Sequence, residues 1–373
     1  MSEDAKLRTA FGGHWDRRSI NRTLAGLGLA SVSVPLLSRP ASAADDLMCL
    51  DWTNYHVPEM IPAYVEKWGD VPPVSYMTDD EDAFQKLRTG FAADTAHPNT
   101  FSVSRYRDGG VIRPIDESKL IYWGDIFDEI KQVPGVYIDN ELWIVPVSWG
   151  NSSVVYRPDL VDPMYQEDPT WGILWDERYK GRVAASATIE EVVISAALYA
   201  GVENPFAMTD EDIAKVKELL QEQHENILFY WEDITSMEQS LASGEIVAAI
   251  GWNTTLSSLQ REGVPVVLMT PKEGILTWLD GLVWCSNGEG PEEKVYDLMN
   301  AWSSPEAGEY LIGTIGYGHT NRNAYDLVPA DVLAERGYGD PLSSLSGGVF
   351  YEPIEPELRE RLVVMFDEVK AGE

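Results

Sequence analysis

Cysteine and histidine are scarce in this chain. Its 373 residues include only Cys49 and Cys285, and five scattered histidines without metal-type spacing, which argues against a zinc site. Both cysteines lie in apolar runs that read as strands, so a disulfide and two free buried thiols both stay open. Lysine and arginine are also few, 28 against 61 acidic residues, and the net charge is −33. Such a chain repels nucleic acid and anionic membranes and attracts cations, although most of this acidity also serves as a soluble surface in salt. Common catalytic signatures are missing: there is no GxSxG, no HExxH, no P-loop and no GxGxxG after a strand. A glycosidase acid pair leaves no sequence signature among so many carboxylates. A secreted carbohydrate-active enzyme therefore stays as a competing class. Repeats, low-complexity tracts and long linkers are absent after residue 45.

The N-terminus reads as an export signal. "DRRSINRTL" (16–24) is a basic region with paired Arg17 and Arg18, "LAGLGLASVSVPLL" (24–37) is an apolar run, and "ASA" (41–43) is a small-residue cleavage site. The run is too short and too rich in Gly and Ser for a membrane span. The arginine pair resembles a twin-arginine signal but lacks the large apolar pair after it, so both export routes stay open. Residues 1–43 hold six Lys/Arg and three Asp/Glu, which leaves 22 and 58, a net charge of −36, on a mature chain starting at Ala44.

Length predicts two domains or one large one, with ample core. Strand-like runs at 46–52, 72–77, 182–187 and 245–252 alternate with helical patterns at 58–68, 80–90, 190–201 and 209–223, the mark of an α/β chain. "ELWIVPVSWG" (141–150) and "SSVVYRP" (152–158) read as strands with a kink between them. Helical patterns at 291–303, 305–316 and 355–372 follow. Two such blocks without a linker predict two lobes with a close interface.

In "ILTWLDGLVW" (275–284), eight of ten residues are apolar or glycine, and Asp280 has no Lys or Arg within seven residues on either side. An ionised carboxylate in such company is costly unless a cation pairs with it. Several of the thirteen tryptophans stand beside polar groups at strand ends: Trp52, Trp149, Trp252 and Trp278. Ligands of α/β lobes bind at strand ends, where aromatic faces attract cations; each Trp also has a plain reading as core.

Five segments in order resemble the periplasmic spermidine/putrescine-binding proteins of ABC importers: "DWTNY" (51–55), "TWGILWDERYKGRV" (170–183), "GWNTT" (251–255), "EGILTWLDGLVW" (273–284, with one inserted residue) and "GTIGYGHTN" (313–321). The resemblance implies an α/β, two-lobe periplasmic-binding-protein-like fold, each lobe a mixed sheet flanked by helices, with a ligand cleft between. Residues 44–148 plus 280–325 would form one lobe and 149–279 plus 326–373 the other. It implies that Trp52, Thr53 and Tyr55 line one wall, with Phe101 in place of the family's aromatic loop. Glu191 would pair with an amine, Trp252 and Trp278 would flank the aliphatic chain, Asp280 would hold an ammonium and Tyr317 would close the wall. Glu352 falls near the family's glutamine. A second family acid corresponds to Thr188, which leaves the ligand's length open. The implied protein is a periplasmic monomer that takes a polyamine and hands it to ABC permease subunits, without catalytic residues, cofactor, metal, nucleic acid or stable membrane insertion. Another small amine or zwitterion is the alternative ligand.

Overall fold

Three short strands, β1 (Cys49–Asp51), β2 (Val74–Tyr76) and β3 (Thr95–Ala96), pair in parallel in the order β2-β1-β3. The helices Pro62–Trp68 and Asp80–Arg88 make the crossovers that parallel strands require. This computed structural model describes residues 46–372 except Asn54, so the expected signal at 1–43 lies outside the described residues. The chain then runs through the long strand β4 (Val145–Tyr156), β5 (Val183–Ser186), β6 (Ile227–Trp231), β7 (Ala248–Trp252) and the second long strand β8 (Ile275–Cys285). The sheet order is β2-β1-β3-β8-β4-β7-β5-β6. Each half is thus a parallel trio, β2-β1-β3 or β6-β5-β7, flanked by one antiparallel long strand. The two long strands pair with each other in the middle.

Helices cover both halves. Ile189–Tyr199 and Asp210–His224 lead from β5 to β6, and Ile234–Ser243 leads from β6 to β7. Thr209 and Asp212 form a complete capping box on the second of these. One hydrophobic core gathers residues from Leu47 to Trp149 and from Leu279 to Leu345. A second gathers residues from Val154 to Leu276 and from Tyr351 to Val369. A smaller cluster around Val155, Trp231 and Leu241 lies beside β7. β4 and β8 contribute to both large cores, Trp149 and Leu279 to the first, Val154 and Leu276 to the second.

Two expectations change. The kink expected near 150 is absent: β4 runs unbroken through Gly150, which a side chain elsewhere requires to be glycine, as described below. The return to the second core expected at 325 comes only between Leu345 and Tyr351. Tyr338 holds this stretch to the first core, packing edge-on to Trp149 with centroids 5.1 Å apart and donating a hydrogen bond to the carbonyl of Gly316 at 3.2 Å. Cys49 and Cys285 are both buried and free. Among the described residues, no helix is long and apolar enough to cross a membrane, and no group of three His, Cys, Asp or Glu is placed to hold a metal.

Candidate functional site

The site grows from the register of the two long strands. Trp278 lies opposite Gly150, Asp280 opposite Ser148 and Leu276 opposite Ser152, and a bulge follows Asp280. Alternate residues of a strand share a face, so Trp278, Asp280, Ser148, Gly150 and Ser152 present one surface. A β-carbon on Gly150 would collide with the ring of Trp278. Glycine is what lets the indole settle over the strand.

Asp280 is buried at 4 % exposure. It is not without a cation in the chain itself, which corrects the expectation drawn from its flanking sequence. His97, fully buried just after β3, places Nε2 3.0 Å from Oδ1 of Asp280 and Nδ1 2.7 Å from Oδ1 of Asp51. Burial opposes a charge on this imidazole, but Asp280 and Asp51 outweigh it and push its pKa up to about 10. His97 is therefore an imidazolium between two carboxylates. His56 reaches Oδ2 of Asp51 at 3.1 Å, yet burial wins there and pulls its pKa down. The hydroxyl and backbone N–H of Ser148 also donate to Oδ1 of Asp280, the latter at 3.3 Å. Among the described residues, every contact made to the Asp280 carboxylate thus falls on one oxygen.

The second acid stands on the other half. Glu191 lies in the first turn of helix Ile189–Tyr199 and is buried. Its Oε1 accepts from Ser152 Oγ at 2.9 Å and from the indole N–H of Trp252, while Thr188 Oγ1 lies 3.4 Å from Oε2. Burial raises its pKa despite these donors. Ser148 and Ser152 are four residues apart on one strand face, about 13 Å along β4, and each binds one of the two carboxylates.

Aromatic groups stand beside both acids. Tyr317 stands edge-on to Trp278 with centroids 4.7 Å apart. Its hydroxyl is pushed far up by burial and then by the charges of Asp280 and Glu191. Tyr55 stacks on Trp302 at 5.7 Å, meets His97 edge-on at 4.9 Å and sets its hydroxyl 3.5 Å from Ser148 Oγ. Trp252 packs edge-on to Trp231.

The remaining expected residues fall further out. Trp52 donates its indole N–H to the carbonyl of His97 at 2.8 Å and so supports the imidazolium from behind. Thr53 is exposed, and Phe101 packs on Tyr351 with centroids 5.8 Å apart. Glu352 does not join the set: it is exposed and lines a separate groove with Glu129 and Gln132. Extended residues alternate sides, and its neighbour Tyr351 takes the inward place, buried, with a hydroxyl pushed up by burial and by Glu191. Residues that the motifs did not single out are Asp51, His97, Ser148, Ser152 and Tyr351. Asp51 and Tyr351 were legible as neighbours of Trp52 and Glu352, while nothing local marks His97. A cavity of about 450 Å³ lined by Asn151, Asn253, Gln260 and Arg336 contains neither acid. Asn151 is out of phase with Gly150 and Ser152, so this cavity opens on the reverse face of β4.

Comparison with known proteins agrees with this architecture. The model of the family described as bacterial extracellular solute-binding protein matches residues 69–335. The spermidine/putrescine-binding periplasmic protein of Escherichia coli K12 is 26 % identical over 305 residues, 80 % of this chain and 85 % of that protein. The protein of the same name from Salmonella typhimurium is 25 % identical over 337 residues, 90 % and 92 % of the two chains. Among solved structures, a spermidine/putrescine ABC transporter substrate-binding protein from Streptococcus pneumoniae superposes with a TM-score of 0.73 at 20 % identity, covering 88 % of this chain and 99 % of that one. A glucopine complex of a binding protein from A. tumefaciens superposes at 0.68 and 14 % identity, covering 87 % and 99 %. With two cores joined by β4 and β8, and a family match over most of its length, the chain belongs to the bacterial extracellular solute-binding proteins.

Proposed function

We propose that this chain captures a polyamine, putrescine or spermidine, in the periplasm and delivers it to the permease subunits of an ABC importer. The observation that carries the reading is the one-sided engagement of Asp280: His97 and Ser148 all bind Oδ1, and Oδ2 has no protein donor among the described residues. An ammonium takes that oxygen. The methylenes lie against Trp278 and Tyr317, whose ring faces attract the adjacent cation by roughly 0.5–2 kcal/mol. A second ammonium meets Glu191, whose burial makes ionisation costly until a cation arrives. Hinge closure around the ligand, the mode known for periplasmic binding proteins, removes water and strengthens both ion pairs.

The relatives named for spermidine and putrescine support this choice of ligand. Isothermal calorimetry on residues 44–373 tests it, with putrescine, spermidine, betaine, γ-aminobutyrate and neutral amino acids as ligands. Saturable one-to-one binding of a polyamine is expected. Binding of a zwitterion alone would move the ligand class, and turnover of a chromogenic glycoside would move the protein to the enzymes. Mass spectrometry of the exported protein is expected to find Ala44 as the first residue.

A further inference from the structure

We propose that His97 is a specificity-determining residue, one that sets the buried charge of the cleft to match a diammonium ligand rather than a triammonium one. The inference rests on the polyamine reading above and goes further by choosing between its two candidates. It stands on the position of one fully buried imidazole, 2.7 Å from Asp51 and 3.0 Å from Asp280.

The formal charges can be counted. Asp51, Asp280 and Glu191 bring three negative charges, and the imidazolium between the first two brings one positive charge. His56, whose pKa burial lowers, brings none at neutral pH. These groups together therefore carry −2. Of the other acids near them, one is neutralised by a cation and two are held by neutral donors, and among the described residues these two share no hydrogen bond or ion pair with Asp51, Asp280 or Glu191. Arg359 holds Glu190 at 2.9 Å, Asn99 and Ser102 hold Asp80, and Ser258 holds Glu238 at 3.1 Å. Thr188, placed within 3.4 Å of Glu191, supplies a hydroxyl and no charge. Two ammoniums neutralise these groups, whereas a third would find none of the three acids left to pair with it, and an unpaired buried charge is costly.

The rise between the serines that hold the two acids sets a scale for the ligand. Ser148 and Ser152, which bind the two acids, are about 13 Å apart along β4. A four-methylene diamine, five bonds of about 1.5 Å in a zigzag, spans roughly 6 Å between nitrogens. Two ammonium–carboxylate contacts of about 2.8 Å bring the total to ~12 Å.

Three variants isolate charge from shape. In the wild-type chain, calorimetry is expected to give putrescine at least about tenfold tighter binding than spermidine. His97→Gln keeps a planar polar side chain but moves the count to −3, and it is expected to shift the putrescine-to-spermidine ratio about tenfold or more towards spermidine. Adding Asp51→Asn to His97→Gln returns the count to −2 and is expected to restore the wild-type ratio. If His97→Gln does not fold, Asp51→Asn alone takes the count to −1 and is expected to lower the affinity for putrescine relative to butylamine. Tighter binding of spermidine by wild type, or a ratio indifferent to these charges, overturns the inference and leaves the polyamine reading intact. Binding of neither amine by wild type overturns the polyamine reading itself.

Discussion

Trp278 occupies the space above Gly150 that a β-carbon would need. The two residues are cross-strand partners in the middle of the long antiparallel pair, so the indole's position is a property of the backbone beneath it. Gly150→Ala is expected to push the ring aside. Overpacking of this kind costs about 1–3 kcal/mol, which urea denaturation would read as a lower midpoint with an unchanged slope. Ligand affinity, measured by calorimetry, should fall with it.

Trp278→Ala is expected to separate binding from folding. The side chain is only half-buried, between Tyr317 and the strand face. Loss of its cation–π and methylene contacts should weaken polyamine binding by roughly 1–3 kcal/mol. Normal binding by a variant that melts far lower would make Trp278 a core residue and nothing more.

Asp280→Asn is expected to injure both the fold and the site. Truncating one partner of a buried charge pair with a ligand costs about 2–5 kcal/mol in binding. Because His97 is also a partner, the unliganded chain should lose stability too, by about 1–3 kcal/mol. That is below the full cost of an orphaned buried charge, since Asp51 keeps its contact with the imidazole. A variant as stable as the parent would show that the imidazolium does not depend on Asp280.

Glu191→Gln should behave in the opposite way without ligand. Glutamine keeps a carbonyl for Ser152 and Trp252, and burial already disfavours the ionised form of Glu191. Thermal melting is expected to show equal or higher stability at neutral pH, while calorimetry shows weakened diamine binding. Any decrease in both would mean that the carboxylate charge is structural.

The imidazolium makes stability depend on alkaline pH. An ordinary histidine titrates near 6.5, and the pKa of folded His97 is pushed up to about 10. The folded state holds its proton more tightly, so this contribution is complete below about pH 6.5 and fades as pH rises through about 10. Urea midpoints measured from pH 6 to 10.5 should fall for the wild-type chain and change less for His97→Gln. Parallel curves for the two proteins would remove His97 as the cause.

Much of this arrangement was legible in the residues. Alternating apolar runs and helical spacings marked the α/β halves, and Thr209 with Asp212 marked a helix start that the capping box confirms. The isolation of Asp280 in its apolar run singled out an unusual carboxylate, but its partner could not be read locally. His97 lies 183 residues away along the sequence, and only the pairing of β3 with β8 brings the two together. Glu352 failed for a related reason. A one-residue shift on an extended segment exchanges inside for outside, and Tyr351 holds the inner place. The late return to the second core depended on Tyr338 packing against Trp149, a contact with no sequence signature.

Gly281, the residue after Asp280, has a further consequence. A β-carbon there would run into the carbonyl of Val145, and the strand register shifts at this very step. The direction in which the acid points is therefore inherited from how closely two backbones approach, and only secondarily from its own rotamer. A frame of this kind tolerates exchange of the groups it displays far better than any change in its length. Diversification of ligand choice on such a scaffold should proceed by replacing side chains at Thr188, His97 or Tyr351. Insertion or deletion of a single residue in either long strand would turn the whole display inside out.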